Sequence, residues 1–186
     1  MNTAAITRKG KRRLNDFYAT PAWATQELLL RIPLTGTVLE CCAGDGAIAK
    51  VLKAEGHRVH ESDLVNKGAG GATGVCTNAT KTEFWDRWTD SIDWVITNPP
   101  FNQASAILPL AYDHALEGVA FLLRLSYLEP CRNRADWLRK HPLSRLIVLP
   151  RISFTGNRKT DSVTCAWFVW IKGELGQQVE VVGRTR

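Results

Sequence analysis

The chain has 186 residues, 45% of them hydrophobic and 23% charged, which suits one soluble domain with a real core and needs no disulfide or metal staple. No apolar run approaches the roughly 20 residues of a membrane helix, and the basic start "MNTAAITRKGKRRLNDFY" lacks the apolar stretch of a secretory signal. Of the net charge of +6, Arg8, Lys9, Lys11, Arg12 and Arg13 supply +5 with no acid among residues 1–13, leaving +1 for the rest. A basic arm (1–14) ahead of a near-neutral domain (15–186) can draw a polyanion by counterion release, or it can be a solvated tail.

The five cysteines are odd in number and form no CxxC pair, which argues against a disulfide framework or a zinc site. His57 and His60 are spaced HxxH within a strand-like alternation that puts them on opposite faces, so no metal is expected. The expectation is a reduced, cytoplasmic protein.

Strand and helix signals alternate from about residue 20. "TPAWATQELLLRI" predicts a helix with Thr20 as N-cap and Pro21 at its first position. "TVLECCAGDGAIAKVLKAEG" reads as strand, glycine turn and helix, with Gly56 as C-cap. "HRVHESDL" is a second strand ending in Asp63, "VNKGAGGATG" a loop, and "VCTNA" a short third strand. "TEFWDRW" is a helical turn or two and "DWVITN" a fourth strand. A helix over "ASAILPLAYDHAL", with a proline near its start, precedes a fifth strand, "VAFLLRLSYL". "RNRADWLRKH" is a polar-faced helix, followed by strands over "SRLIVLPRISF" and "CAWFVWIKG"; "QVEVVGRTR" is an edge strand or a frayed end. Continuous apolar strands between helices predict an α/β class, a doubly wound, seven-stranded, mostly parallel sheet of Rossmann-like type. Most of the seven tryptophans are expected in the core rather than as stacking platforms.

Gly44-Asp45-Gly46 follows the first strand and opens a helix, where glycine permits the turn and lets a ligand touch backbone. Asp63 ends the next strand 19 residues after Gly44, placed to take both ribose hydroxyls of a nucleoside. Gly44-x-Gly46-x-x-Ala49 also satisfies the loose dinucleotide fingerprint, so a nicotinamide enzyme competes on this motif. Charge separates the two. Glu40 and Asp45 would face a doubly negative pyrophosphate, which like charge disfavours, whereas S-adenosylmethionine brings an ammonium and a sulfonium. Cys41 and Cys42, beside the turn, read as small buried residues.

In "DWVITNPPF" a buried strand ends on Asn98, and Pro99 and Pro100 have no N–H to continue the sheet. Such a strand ends at the carboxyl edge, beside a cofactor crevice. The Asn98 side-chain oxygen and the Pro99 carbonyl could accept both hydrogens of an exocyclic amine and free its lone pair for attack on a methyl group. Phe101 would stack on the base. The chemistry is positioning and hydrogen bonding, without a general base before attack.

With "DFYATP" (16–21), "VLECCAGDG" (38–46), "SDL" (62–64) and "NPPF" (98–101), the chain resembles the class I S-adenosylmethionine-dependent amino-methyltransferases. It is most similar to the DNA adenine-N6 methyltransferases, over about residues 15–172. The resemblance gives Tyr18, Thr20 and Pro21 the methionine end of the cofactor, lines the pocket with Glu40, Ala43, Gly44 and Gly46, and sets Asp63 on the ribose. Asn78, where many relatives carry an acid, would approach the cofactor adenine, and Asn98 through Phe101 form the catalytic turn. Phe154 matches an aromatic set against the flipped base, and Arg151, Arg158 and Lys159 flank it as phosphate contacts or as ordinary solvated charges. Relatives of this motif order usually add a target-recognition domain, so the chain resembles the compact stand-alone enzymes of phages and prophages. Specificity would then fall to loops 66–74, 102–106 and 151–162.

These features imply methyl transfer to adenine N6 in duplex DNA with short or weak specificity. RNA adenine or a protein glutamine amide would fit the same turn, and a silent nucleic-acid-binding relative would keep the fold without turnover. Removing residues 1–13 is expected to lower DNA affinity mainly at low salt; a salt slope equal to that of the full chain would assign the arm to solvent.

Overall fold

Strands that are apolar along their whole length must be covered on both sides. A computed structural model describes residues 19–64, 77–132, 134–152, 163–174 and 176–183 and shows how this is done. Seven strands form one sheet: β1 (Thr37–Glu40), β2 (Arg58–Glu61), β3 (Trp94–Thr97), β4 (Gly118–Arg124), β5 (Arg145–Val148), β6 (Cys165–Ile171) and β7 (Gln178–Val181). Their order is β2-β1-β3-β4-β6-β5-β7. β6 runs antiparallel to β4 and β5, and every other neighbouring pair is parallel.

Side chains alternate across this sheet into two cores. Val38, Trp94, Ile96, Ala120, Leu122, Trp167 and Val169 meet α1 (Ala22–Leu29) and α2 (Ala47–Ala54) on one face. Leu39, Val95, Val119, Phe121, Phe168 and Trp170 meet α3 (Thr82–Trp85), α4 (Ala104–His114) and α5 (Ala135–Lys140) on the other. The expected doubly wound α/β class is therefore observed. Trp85, Trp94, Trp167 and Trp170 are all buried, as core tryptophans should be. Three of them also spend their indole N–H on a backbone carbonyl: Trp167 to Ala24 (2.7 Å), Trp170 to His141 (2.9 Å) and Trp85 to Ala79 (3.0 Å). The Trp167 bond fixes α1 on the sheet from 143 residues away.

Several expectations shift at element ends. Pro21, not Thr20, is the N-cap of α1, and no side chain caps that helix, because the Thr20 hydroxyl bonds elsewhere. β2 stops at Glu61, two residues short of Asp63. The expected strand over "VCTNA" does not form in its described part: the Asn78 side-chain oxygen accepts the Thr80 N–H at 3.0 Å and folds 77–80 into a turn. Residues 75–76 of that stretch lie outside the described residues. "QVEV" is a true edge strand, parallel to β5. Pro109 sits in the middle of α4 rather than near its start. The C-cap of α2 is Glu55, one residue before the expected Gly56, which with φ of +89° still closes the helix: its N–H bonds the Lys53 carbonyl and the His57 N–H bonds the Leu52 carbonyl. No helix among the described residues is long and apolar enough to cross a membrane.

Gly118 opens β4 between two strands that leave it no room. A Cβ there would stand 2.5 Å from the Trp170 carbonyl oxygen and 2.9 Å from the Trp94 ring. Gly118→Ala is expected to cost about 1–3 kcal/mol by overpacking, read as a lower urea midpoint; an unchanged midpoint would show that the Trp94 ring can yield.

Candidate functional site

Because β2, β1, β3 and β4 are parallel neighbours, their carboxyl ends share one edge. From β1 the chain passes to β2 on one side and later to β3 on the other, so a crevice opens between the ends of β1 and β3.

The β1 side is built around Glu40. Its backbone carbonyl accepts the Ser62 N–H at 2.9 Å, and its carboxylate Oε2 accepts the Ala49 N–H at 2.8 Å, in the first turn of α2. The turn between them needs positive φ at Gly44 (+58°) and Gly46 (+73°). A Cβ on Gly46 would stand 2.8 Å from a Glu61 carboxylate oxygen. The Gly44 N–H donates to Asp63 Oδ2 at 2.8 Å, and the Ala43 N–H donates to the Ser62 carbonyl at 2.9 Å. Glu40, Ala43, Gly44, Gly46 and Asp63 are thereby brought together. Lys53 pairs with Glu61 on the flank.

A carboxylate already occupies the α2 N-terminus, where a Rossmann-type site would receive pyrophosphate. Asp45 and Asp63 make this edge of the crevice acidic, while Lys53 offsets Glu61. Burial pushes the Glu40 carboxyl well above its ordinary value; the Ala49 bond works against that, and the charges of Glu61 and Asp45 add to it. The Cys41 thiol is raised too, first by its hydrogen bond with Cys42 and then by burial, so it stays a protonated core residue.

Across the crevice, β3 delivers Asn98. Its side-chain nitrogen donates to the Thr20 hydroxyl at 3.1 Å, which joins the segment before α1 to the end of β3 and orients the amide. Pro21 follows as the α1 N-cap. The Pro100 carbonyl is taken by the Gln103 and Ala104 N–H groups at the start of α4, and Pro99 is buried. Phe101 is half-buried against the apolar clusters of both sheet faces. The Arg124 guanidinium carbon lies 4.6 Å from its ring centroid.

Asn78 uses its oxygen on Thr80. Arg151 is exposed beyond β5 at the same edge and makes no hydrogen bond or ion pair among the described residues. Tyr18, Phe154, Arg158 and Lys159 lie outside the described residues. Sequence reasoning passed over Arg124, although a cation ending the apolar run "VAFLLR" at a carboxyl edge is a usable signal. Among the described residues no group of three His, Cys, Asp or Glu side chains is arranged to hold a metal.

No family model and no curated protein matches this sequence. Solved structures do. The type I restriction-modification methyltransferase subunit from Streptococcus thermophilus is similar at 15% identity and a TM-score of 0.61, over 84% of this chain and 45% of that one. The M protein of the type I restriction enzyme EcoKI gives 15% and 0.63, over 84% and 44%. A predicted O-methyltransferase from Agrobacterium tumefaciens gives 15% and 0.58, over 88% and 87%. The chain thus spans less than half the length of the two restriction-modification subunits.

Glu40 also sets a pH dependence. The folded chain keeps a proton that the unfolded chain releases, so stability falls as pH rises from 4.5 toward the raised folded value. Glu40→Gln, with no charge to bury, is expected to flatten that fall in denaturation midpoints taken from pH 4.5 upward; equal slopes in both proteins would exclude Glu40 as the source. Strand order, the glycine turn, the β3 end and these structural likenesses together establish the fold as that of the class I, Rossmann-like methyltransferases.

Proposed function

We propose that the protein transfers a methyl group from S-adenosylmethionine to the N6 amine of adenine in DNA, with short or weak sequence specificity. The observation that carries this reading is the Asn98-Pro99-Pro100-Phe101 turn at the end of β3, its amide oriented by Thr20, facing the Gly44–Asp63 side of one crevice.

The donor set fits the cofactor. Asp45 and Asp63 favour a ligand carrying an ammonium and a sulfonium and disfavour a pyrophosphate, and the Glu40 side chain fills the α2 N-terminus where a phosphate would sit. Glu40, Ala43, Gly44 and Gly46 would hold the methionine end together with Thr20 and Pro21, and Asp63 the ribose. Bound there, S-adenosylmethionine supplies an electrophilic methyl group.

The remaining work falls to the chain. Asn98 Oδ1 and the Pro99 carbonyl accept the two amine hydrogens and direct the nitrogen lone pair into the crevice. Thr20 keeps the amide from turning its nitrogen toward the substrate. Neither proline brings an N–H that would compete for those acceptors. Phe101 offers a ring to the base, which must leave the duplex to reach this depth. The amine proton leaves only after the nitrogen has become cationic, so no base is required beforehand. The fold shared with methyltransferase subunits of type I restriction-modification systems supports DNA as the polymer.

The direct test is incubation with labelled S-adenosylmethionine and unmethylated duplex DNA, then digestion and mass spectrometry of the nucleosides. N6-methyladenine is expected; label in RNA or in protein glutamine instead would move the substrate assignment, and cofactor binding without transfer would replace the enzyme reading with a binding one. Asn98→Ala is expected to lower turnover about 10²–10³-fold with cofactor affinity kept. Asp63→Ala is expected to weaken cofactor binding about 10–100-fold first. Near-normal turnover in the Asn98 variant would remove it from the catalytic role.

A further inference from the structure

Four arginines are paired with carboxylates, Arg31 with Glu27 and Glu180, Arg58 with Asp90, Arg139 with Asp136 and Arg145 with Glu174, while Arg87 and Arg132 are exposed with no ion pair among the described residues. Arg124 is treated differently. It is the exposed last residue of β4, three residues past Phe121, the partner of the β3 end, and its charge meets a ring, Phe101, in the turn that follows β3, at 4.6 Å. Neighbouring Arg134 supplies the contrast. Its guanidinium lies 4.8 Å from the Tyr127 ring, but it also donates to the Glu129 and Ser126 carbonyls, each at 3.0 Å. Two hydrogen bonds bolt Arg134 in place. Among the described residues the Phe101 ring alone engages the Arg124 guanidinium, and such a contact is weak at an exposed position.

Phe101 packs into the apolar clusters of both sheet faces, so Arg124 covers the side of the ring that is turned outward. A base stacking on Phe101 needs that same side. The two cannot share it.

We propose that Arg124 is a positioning residue that covers Phe101 until nucleic acid arrives: the extruded base takes the ring, and the displaced guanidinium moves to a phosphate flanking the extruded nucleotide. This rests on the reading of the protein as a DNA methyltransferase. The cation is matched in both states, by the ring quadrupole before and by phosphate oxygens after. An apolar ring is also kept from water in the free protein.

The test compares wild type, Arg124→Ala and Arg124→Lys in methyl transfer to unmethylated duplex DNA across a salt series, with cofactor affinity by calorimetry as the check on folding. Both variants are expected to bind cofactor within about twofold of wild type, because β3 separates the end of β4 from β1 and its glycine turn. Arg124→Ala is expected to make the slope of log kcat/KM against log salt shallower by about 0.9, so that its deficit shrinks about 3.5-fold between about 50 and about 200 mM. Arg124→Lys, which keeps a charge for the phosphate, is expected to restore the slope. An Arg124→Ala slope equal to wild type, in an enzyme that methylates DNA, overturns this proposal alone, as does a lysine variant no better than alanine. A wild type that binds cofactor and leaves DNA unmodified overturns the DNA reading and this proposal with it.

Discussion

Glu40 is the residue on which the β1 side of the crevice depends. Through its backbone it holds the exit of β2 at Ser62, and through its carboxylate it holds the first turn of α2 at Ala49. The glycine turn is suspended between those two attachments. A buried carboxylate is a costly anchor, since it must be either protonated or matched by a cation. Here the cost is turned to selectivity: the group that closes the helix N-terminus also leaves no place there for a phosphate.

The other side of the crevice is assembled from distant parts. β3 brings Asn98 to the shared edge, and Thr20 reaches it from 78 residues earlier. That reach is possible only because α1 is seated on the sheet, which in turn relies on the Trp167 indole bonding the Ala24 carbonyl. A polar contact at the turn after β3 and an aromatic residue in the middle of β6 are thus parts of one mechanical chain. Phe101 adds a third dependence, because its ring is wedged between the apolar layers of both sheet faces.

How far the sequence could be read depended on how local each cause was. The glycine turn and the double proline were legible because each acts on its own few residues; Asp63, expected at the end of β2, lies two residues past it and bonds Gly44 across the turn. Gly56 was legible as the close of α2 because it too acts locally. Thr20 looked like a helix cap because threonine before proline usually is one; its actual partner lies across the fold and leaves no local trace. "VCTNA" looked like a strand by composition, and one hydrogen bond from Thr80 to Asn78 was enough to fold its end into a turn. Arg124 was passed over because a guanidinium over a ring joins two elements that only the sheet order makes adjacent.

The Trp167–Ala24 bond also orders events in time. Antiparallel β6 lies between β4 and β5, so the sheet is continuous only after a strand near residue 165 has been inserted into its middle. During synthesis the first helix therefore waits, its apolar face without a final seat, until almost the whole described chain has emerged. Folding governed by such distant pairings is slow, and the apolar surface stays exposed meanwhile. The Thr20–Asn98 contact, which joins the segment before α1 to the end of β3, belongs with the parts that wait for β6, while β7 has still to pair with β5.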